Sequence, residues 1–95
     1  MKIRISCEDK YESQKLASLI FIKDSNETFV ARILNIIENE IVLELKDKSA
    51  HSVVLKDSNQ AVIFADFIQS IVEKEHKITS IDIFGEEVEI DKTEI

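Results

Sequence analysis

Apolar and polar positions alternate with a period of two at both ends of the chain, and with a helical period in two places between. Residues 2–7, Lys2-Ile3-Arg4-Ile5-Ser6-Cys7, put Ile3, Ile5 and Cys7 on one face and Lys2, Arg4 and Ser6 on the other, the signature of a half-buried strand. Ser6 and Asp9 then stand at capping-box spacing, which predicts a helix from about Glu8 to Phe21. Its stripe is Leu16, Leu19, Ile20 and Lys23, with Glu12 and Lys15 three apart on the wet side. Asp24-Ser25-Asn26-Glu27 is a polar turn.

Residues 29–37 fit two descriptions. As a helix they align Phe29, Val30, Ile33, Leu34 and Ile37, with Asp24 and Glu27 as the capping pair. As a strand they are rich in β-branched side chains and end at Glu38-Asn39, a tight turn. The strand is favoured because Ile41, Leu43 and Leu45 alternate with Val42, Glu44 and Lys46 immediately afterwards, and a strand leaving a tight turn needs an antiparallel neighbour. That pairing sets Ile36 opposite Ile41 and Leu34 opposite Leu43.

Residues 51–55 make a short strand. Asp57 and Gln60 give a strong helix start, and the helix that follows spans about 58–75. Its apolar arc of Ala61, Ile63, Phe64, Ala65, Phe67, Ile68, Ile71 and Val72 is wider than the stripe a surface helix needs. Either the helix is sandwiched inside the fold, or Ile63 and Phe67 stay uncovered and are buried in a homodimer or on a partner. At the C-terminal end, Ile78–Phe84 and Glu87 to about Asp91 form a hairpin around Gly85-Glu86, with glycine where a type II′ turn needs it. Ile83 then faces Val88 and Ile81 faces Ile90, and the other face carries acids.

The expected architecture is α+β: an antiparallel twisted sheet with two helices packed on one face, in the order β-α-β-β-β-α-β-β, as a single domain over 1–95. Phe64, Ile68, Ile71, Val72, Leu16, Leu19, Ile20, Ile81 and Ile83 are its expected core. No internal repeat is evident in the sequence.

Composition narrows the function. With no proline and one glycine, neither a P-loop nor a dinucleotide fingerprint can be built. No apolar run is long enough to span a bilayer, the Met1–Ile5 start lacks the apolar core of a signal peptide, and one cysteine permits no internal disulfide. A reducing, cytoplasmic setting is expected. The formal net charge of −7 disfavours direct contact with nucleic acid or an anionic membrane. Nucleic-acid binding would need Lys2, Arg4, Arg32, Lys46 and Lys48 to gather on one face. Most of the excess charge lies at the end of the chain, where Asp82, Glu86, Glu87, Glu89, Asp91 and Glu94 face Lys92 alone.

Candidate chemistry is sparse. Cys7 is the one thiol and needs His51 or His76 as a base, although a small apolar side chain at a strand end is the simpler role. The two histidines and the cysteine have no metal-ligand spacing, and the acidic segment lacks the pattern of a calcium loop. No catalytic, cofactor or metal residue is assigned, and no cofactor is expected. The carboxylates can instead steer a basic protein partner. The expectation is a non-enzymatic interaction module: a subunit of a complex, or a small acidic inhibitor or immunity-type protein. Asp82, Glu86, Glu87, Glu89, Ile63 and Phe67 are its partner-binding residues, and the 58–75 helix is a possible homodimer face. A small enzyme without a recognisable motif is the rival class.

From residue 2 to about 75, the strand KIRISC, the following helix, the hairpin IIENEIVLEL and the long helix after DSNQ resemble in order the Pcc1 family, small dimerising subunits of the KEOPS tRNA-modification complex. The C-terminal hairpin is additional. The resemblance implies a homodimer built on the helices and an accessory role in tRNA modification.

Overall fold

A computed structural model describes residues 1–23, 25 and 27–95. Asp24 and Asn26, which belong to the polar turn and to the helical alternative for 29–37, lie outside the described residues. The elements are β1 (Lys2–Ser6), α1 (Lys10–Ile20), β2 (Val30–Ile37), β3 (Glu40–Leu45), β4 (Ala50–Val54), α2 (Ser58–Val72), β5 (His76–Phe84) and β6 (Glu87–Glu94). The α+β class and the β-α-β-β-β-α-β-β order are those the periodicity predicts, and residues 30–37 are a strand.

The six strands divide into two antiparallel three-stranded sheets, β1-β6-β5 and β2-β3-β4, where one continuous sheet was expected. Among the described residues they meet at a single isolated antiparallel bridge, between Cys7 and Leu55. Around it, the Glu8 N–H donates to Val54 O and the Lys56 N–H to Ser6 O, both at 3.0 Å. Beyond that bridge the strands diverge, as twisted strands do. Helix α1 lies over β5 and β6, and α2 over β2 and β3. Inward positions of each sheet (Ile5, Val88 and Ile90; Ile41, Leu43 and Val53) are buried beneath the helices.

The bridge marks a two-fold relation that the sequence hides. At one constant offset Cys7 corresponds to Leu55, the N-cap Asp9 to the N-cap Asp57, Leu16 to Phe64, Leu19 to Phe67 and Ile20 to Ile68. The hydrogen bonds are reciprocal. Ser6 N–H donates to Gln60 Oε1 at 2.9 Å, and Val54 N–H to Glu12 Oε2 at 3.3 Å. Cys7 N–H reaches Glu86 O in one hairpin turn and Leu55 N–H reaches Asn39 O in the other, each at 2.7 Å. The chain is therefore two β-α-β-β units that exchange partners, since β1 pairs with β6 and β4 with β3.

Local details correct the sequence reading at four points. Helix α1 is capped by Asp9, whose side chain accepts from Glu12 N–H at 2.9 Å; Ser6 remains in its strand. Helix α2 starts at the Asp57–Gln60 cap as expected but ends earlier, at Val72, in a Schellman turn: Lys74 N–H donates to Ile71 O and Glu75 N–H to Ser70 O. The β2–β3 register keeps Ile36 opposite Ile41, but Leu43 faces Ile33 because a bulge at Leu34 shifts the ladder. In the β5–β6 hairpin Ile83–Val88 and Ile81–Ile90 pair as predicted. Ile83 nevertheless stays largely exposed, while Ile81 and Val72 are half-buried.

The two hairpin turns place a testable contrast side by side. Gly85 has φ 62°, and its counterpart in the other unit is Glu38, with φ 55°. An L-residue is strained there because its Cβ crowds the backbone. Replacing Glu38 with glycine is expected to stabilise the fold by about 0.5 kcal/mol, and Gly85→Ala to cost about 1 kcal/mol, both read from urea denaturation midpoints.

Candidate functional site

The open face of the β1-β6-β5 sheet carries the acidic hairpin. The register puts Lys2 opposite Asp91, Arg4 opposite Glu89 and Ser6 opposite Glu87. On the other side of β6, Asp82 stands opposite Glu89 and Phe84 opposite Glu87. The acids of β6 therefore lie between a basic strand and the β5 edge. Arg4 reaches across with Nη1 3.1 Å from Glu87 Oε2 and Nη2 3.0 Å from Glu89 Oε2, while Lys2 Nζ is 3.5 Å from Glu89 Oε1. The hydrogen bond from Arg4 holds the Glu89 carboxyl below its usual range, and those acceptors, Glu89 first and then Glu87, push the Arg4 guanidinium up. The same guanidinium lies 5.4 Å from the centre of the Phe84 ring.

Two of the four hairpin acids named as partner contacts are thus satisfied within the sheet. Among the described residues, Asp82 and Glu86 make no ion pair, and both are exposed. The two apolar candidates part company. Ile63 is 39% exposed, whereas Phe67 is buried in the core with the Lys92 ammonium 5.6 Å from its ring centre. The wide apolar arc of α2 is largely explained by burial on β2 and β3 and on β1 and β5.

Three of the five residues of the basic set are engaged with acids. Lys2 and Arg4 are engaged as described, and Arg32 Nε pairs with Glu44 Oε1 at 3.1 Å. The candidate nucleophile is also set apart. Cys7 sits on the two-fold junction, buried, and desolvation, reinforced by the charges of Glu12 and Asp9, pushes its thiol up to about 12. His51 is exposed, with Nε2 3.0 Å from Ser49 Oγ. His76 lies at the start of β5, and its buried Nδ1 has no hydrogen-bond partner among the described residues. Nor do these residues bring three His, Cys, Asp or Glu side chains together in a way that would hold a metal ion.

What sequence reasoning missed is a set of exposed aliphatic side chains on β2 and on the first turns of α2. Leu34, Ile36 and Ile37 of β2 are 42%, 43% and 54% exposed, and Val62 on the first turns of α2 is 57% exposed. The bulge at Leu34 was the lost signal: it places one more aliphatic side chain on the strand than the pairing can cover. Two concavities complete the surface. One of about 690 Å³ runs between α1 and β5, and one of about 490 Å³ lies beyond the end of α2, near Val30, Lys46 and His76.

The molecule is an α+β protein of two interlocked β-α-β-β units. Among the described residues, no helix is long and apolar enough to cross a membrane. No protein-family model, curated protein or solved structure matches the chain, so the likeness to the Pcc1 family rests on element order alone.

Proposed function

We propose that this chain is a non-enzymatic protein-interaction module, acting as a subunit of a complex or as a small acidic inhibitor. The observation that carries the reading is the exposure of Leu34, Ile36 and Ile37 on an edge strand, and of Val62 and Ile63 on the helix that packs against it. Exposed aliphatic side chains on neighbouring elements of a small domain are what a partner buries. The net charge of −7, with Asp82 and Glu86 unpaired among the described residues, favours a basic partner and speeds the encounter.

The test is a double substitution, Ile36→Lys with Ile63→Lys, in the full chain. Both sites are exposed, so the fold is expected to survive within about 1 kcal/mol. A near-stoichiometric partner retained from cell lysate by the native protein should be lost by the variant, with light scattering reporting whether that partner is a second copy. A variant that holds the same partner as tightly as the native chain overturns this assignment of the surface.

A further inference from the structure

The two-fold relation sets up a comparison between the outer strands. β2 and β5 are counterparts, and each is the edge of its sheet. Their hairpins share a bulge at the start, Val30/Arg32 in one and Ile78/Ser80 in the other. From there they differ. β2 has a second bulge, Ile33/Asn35, and α2 packs closely along it. Bulges and a covering helix are two ways in which an edge is protected from further pairing. β5 has neither. From Ser80 to Phe84 its register is unbroken, and α1 stands off far enough to leave the groove of about 690 Å³. An unbroken edge offers a row of backbone N–H and C=O groups that pair with an added strand.

The groove's walls define the occupant. On the helix side of β5 are Ile81 and Ile83; α1 contributes Ala17 and Ser18, and Phe21 and Lys23 line the groove just beyond its end. Ala17 and Ser18 are small, so a strand can come close to the helix. On the open side of β5 stands Asp82, next to Glu89 and without an ion pair among the described residues. We propose that the groove between α1 and β5 takes an extended, basic segment of a partner protein as an added β-strand, with apolar side chains toward α1 alternating with lysine or arginine toward Asp82. Side chains of an added strand point alternately to the two faces, so a single period-two pattern meets both demands. Self-pairing of two β5 edges is disfavoured because it brings two copies of Asp82 onto the same face. The proposal rests on the reading of the chain as an interaction module and names the edge and the chemistry it uses.

The probe is a short capped peptide alternating lysine and valine, titrated into the full-length protein and followed by amide chemical shifts. Two controls are a peptide of the same composition in two blocks and one alternating glutamate and valine. Shifts are expected along Ser80–Phe84, on the Gln14, Ala17 and Ser18 face of α1 and at Phe21, with at least about tenfold weaker binding of either control. Asp82→Lys should weaken the lysine peptide by about tenfold and favour the glutamate peptide. Ser18→Trp, at an exposed helix position, should fill the groove and abolish binding without altering the circular dichroism spectrum. Equal binding of the block peptide, shifts away from β5, indifference to Asp82→Lys, or a dimer that protects the β5 amides would each overturn the proposal. If the peptide fails while Ile36→Lys/Ile63→Lys still releases a lysate partner, the groove assignment falls and the interaction-module reading stands.

Discussion

Phe64→Ala should destabilise the protein by about 3–5 kcal/mol and lower its Tm by more than about 12 °C. Phe64 is the largest fully buried side chain, in the middle of α2. Its removal leaves a cavity that the strands packed on α2 cannot close. A domain of this size has a total stability of about 5–14 kcal/mol, so the loss is a large fraction of the whole. Ile63→Ala, one residue earlier, is also a truncation to alanine but at a position that is 39% exposed, and should cost less than about 1 kcal/mol. Leu16, the counterpart of Phe64 on α1, is equally buried, and Leu16→Ala should fall in the same class at about 2–5 kcal/mol. Denaturant titration of the three variants checks the set. Similar losses for Ile63 and Phe64 would mean that α2 does not present the face described.

Much of the fold was legible because local periodicity and local caps determine it. The Asp57–Gln60 cap, the alternation of Ile41, Leu43 and Leu45, and the hairpin around Gly85 are each decided within a few residues. The misreadings share a cause, which is that the deciding partner is distant. Leu34 and Ile33 are both aliphatic, so nothing in the segment marks which of them the bulge ejects. The carboxylates of Glu87 and Glu89 were visible as an acidic face, and Lys2 and Arg4 were visible as the wet side of a strand. That the first strand lies against the last one, so that the two rows neutralise each other, is a tertiary fact. The repeat was hidden for a related reason. Leu16 and Phe64, or Cys7 and Leu55, share a place in the core but not an identity, because each unit packs against a different neighbour.

The same interlocking predicts how the protein comes apart. Leu55→Ala, at the junction of the two sheets, should cost about 2–5 kcal/mol, because Leu55 is fully buried and its counterpart Cys7 is too small to fill the space. The loss should be shared by both units. Each sheet is built from strands of both halves, and the side chains of Glu12 and Gln60 that would otherwise only finish their own helix starts accept from the opposite strand's backbone. A unit that opened alone would strip its neighbour of a strand and leave those buried groups unpaired. Amide hydrogen exchange makes the distinction. The slowest amides of β3 and of β6, around Leu43 and Ile90, should report the same opening free energy in the native chain and fall together in Leu55→Ala. If only one sheet loosened, the junction would be a contact between two separately stable units; a common fall shows that the exchange of strands, more than either helix-on-sheet layer, makes the duplicated chain one cooperative domain.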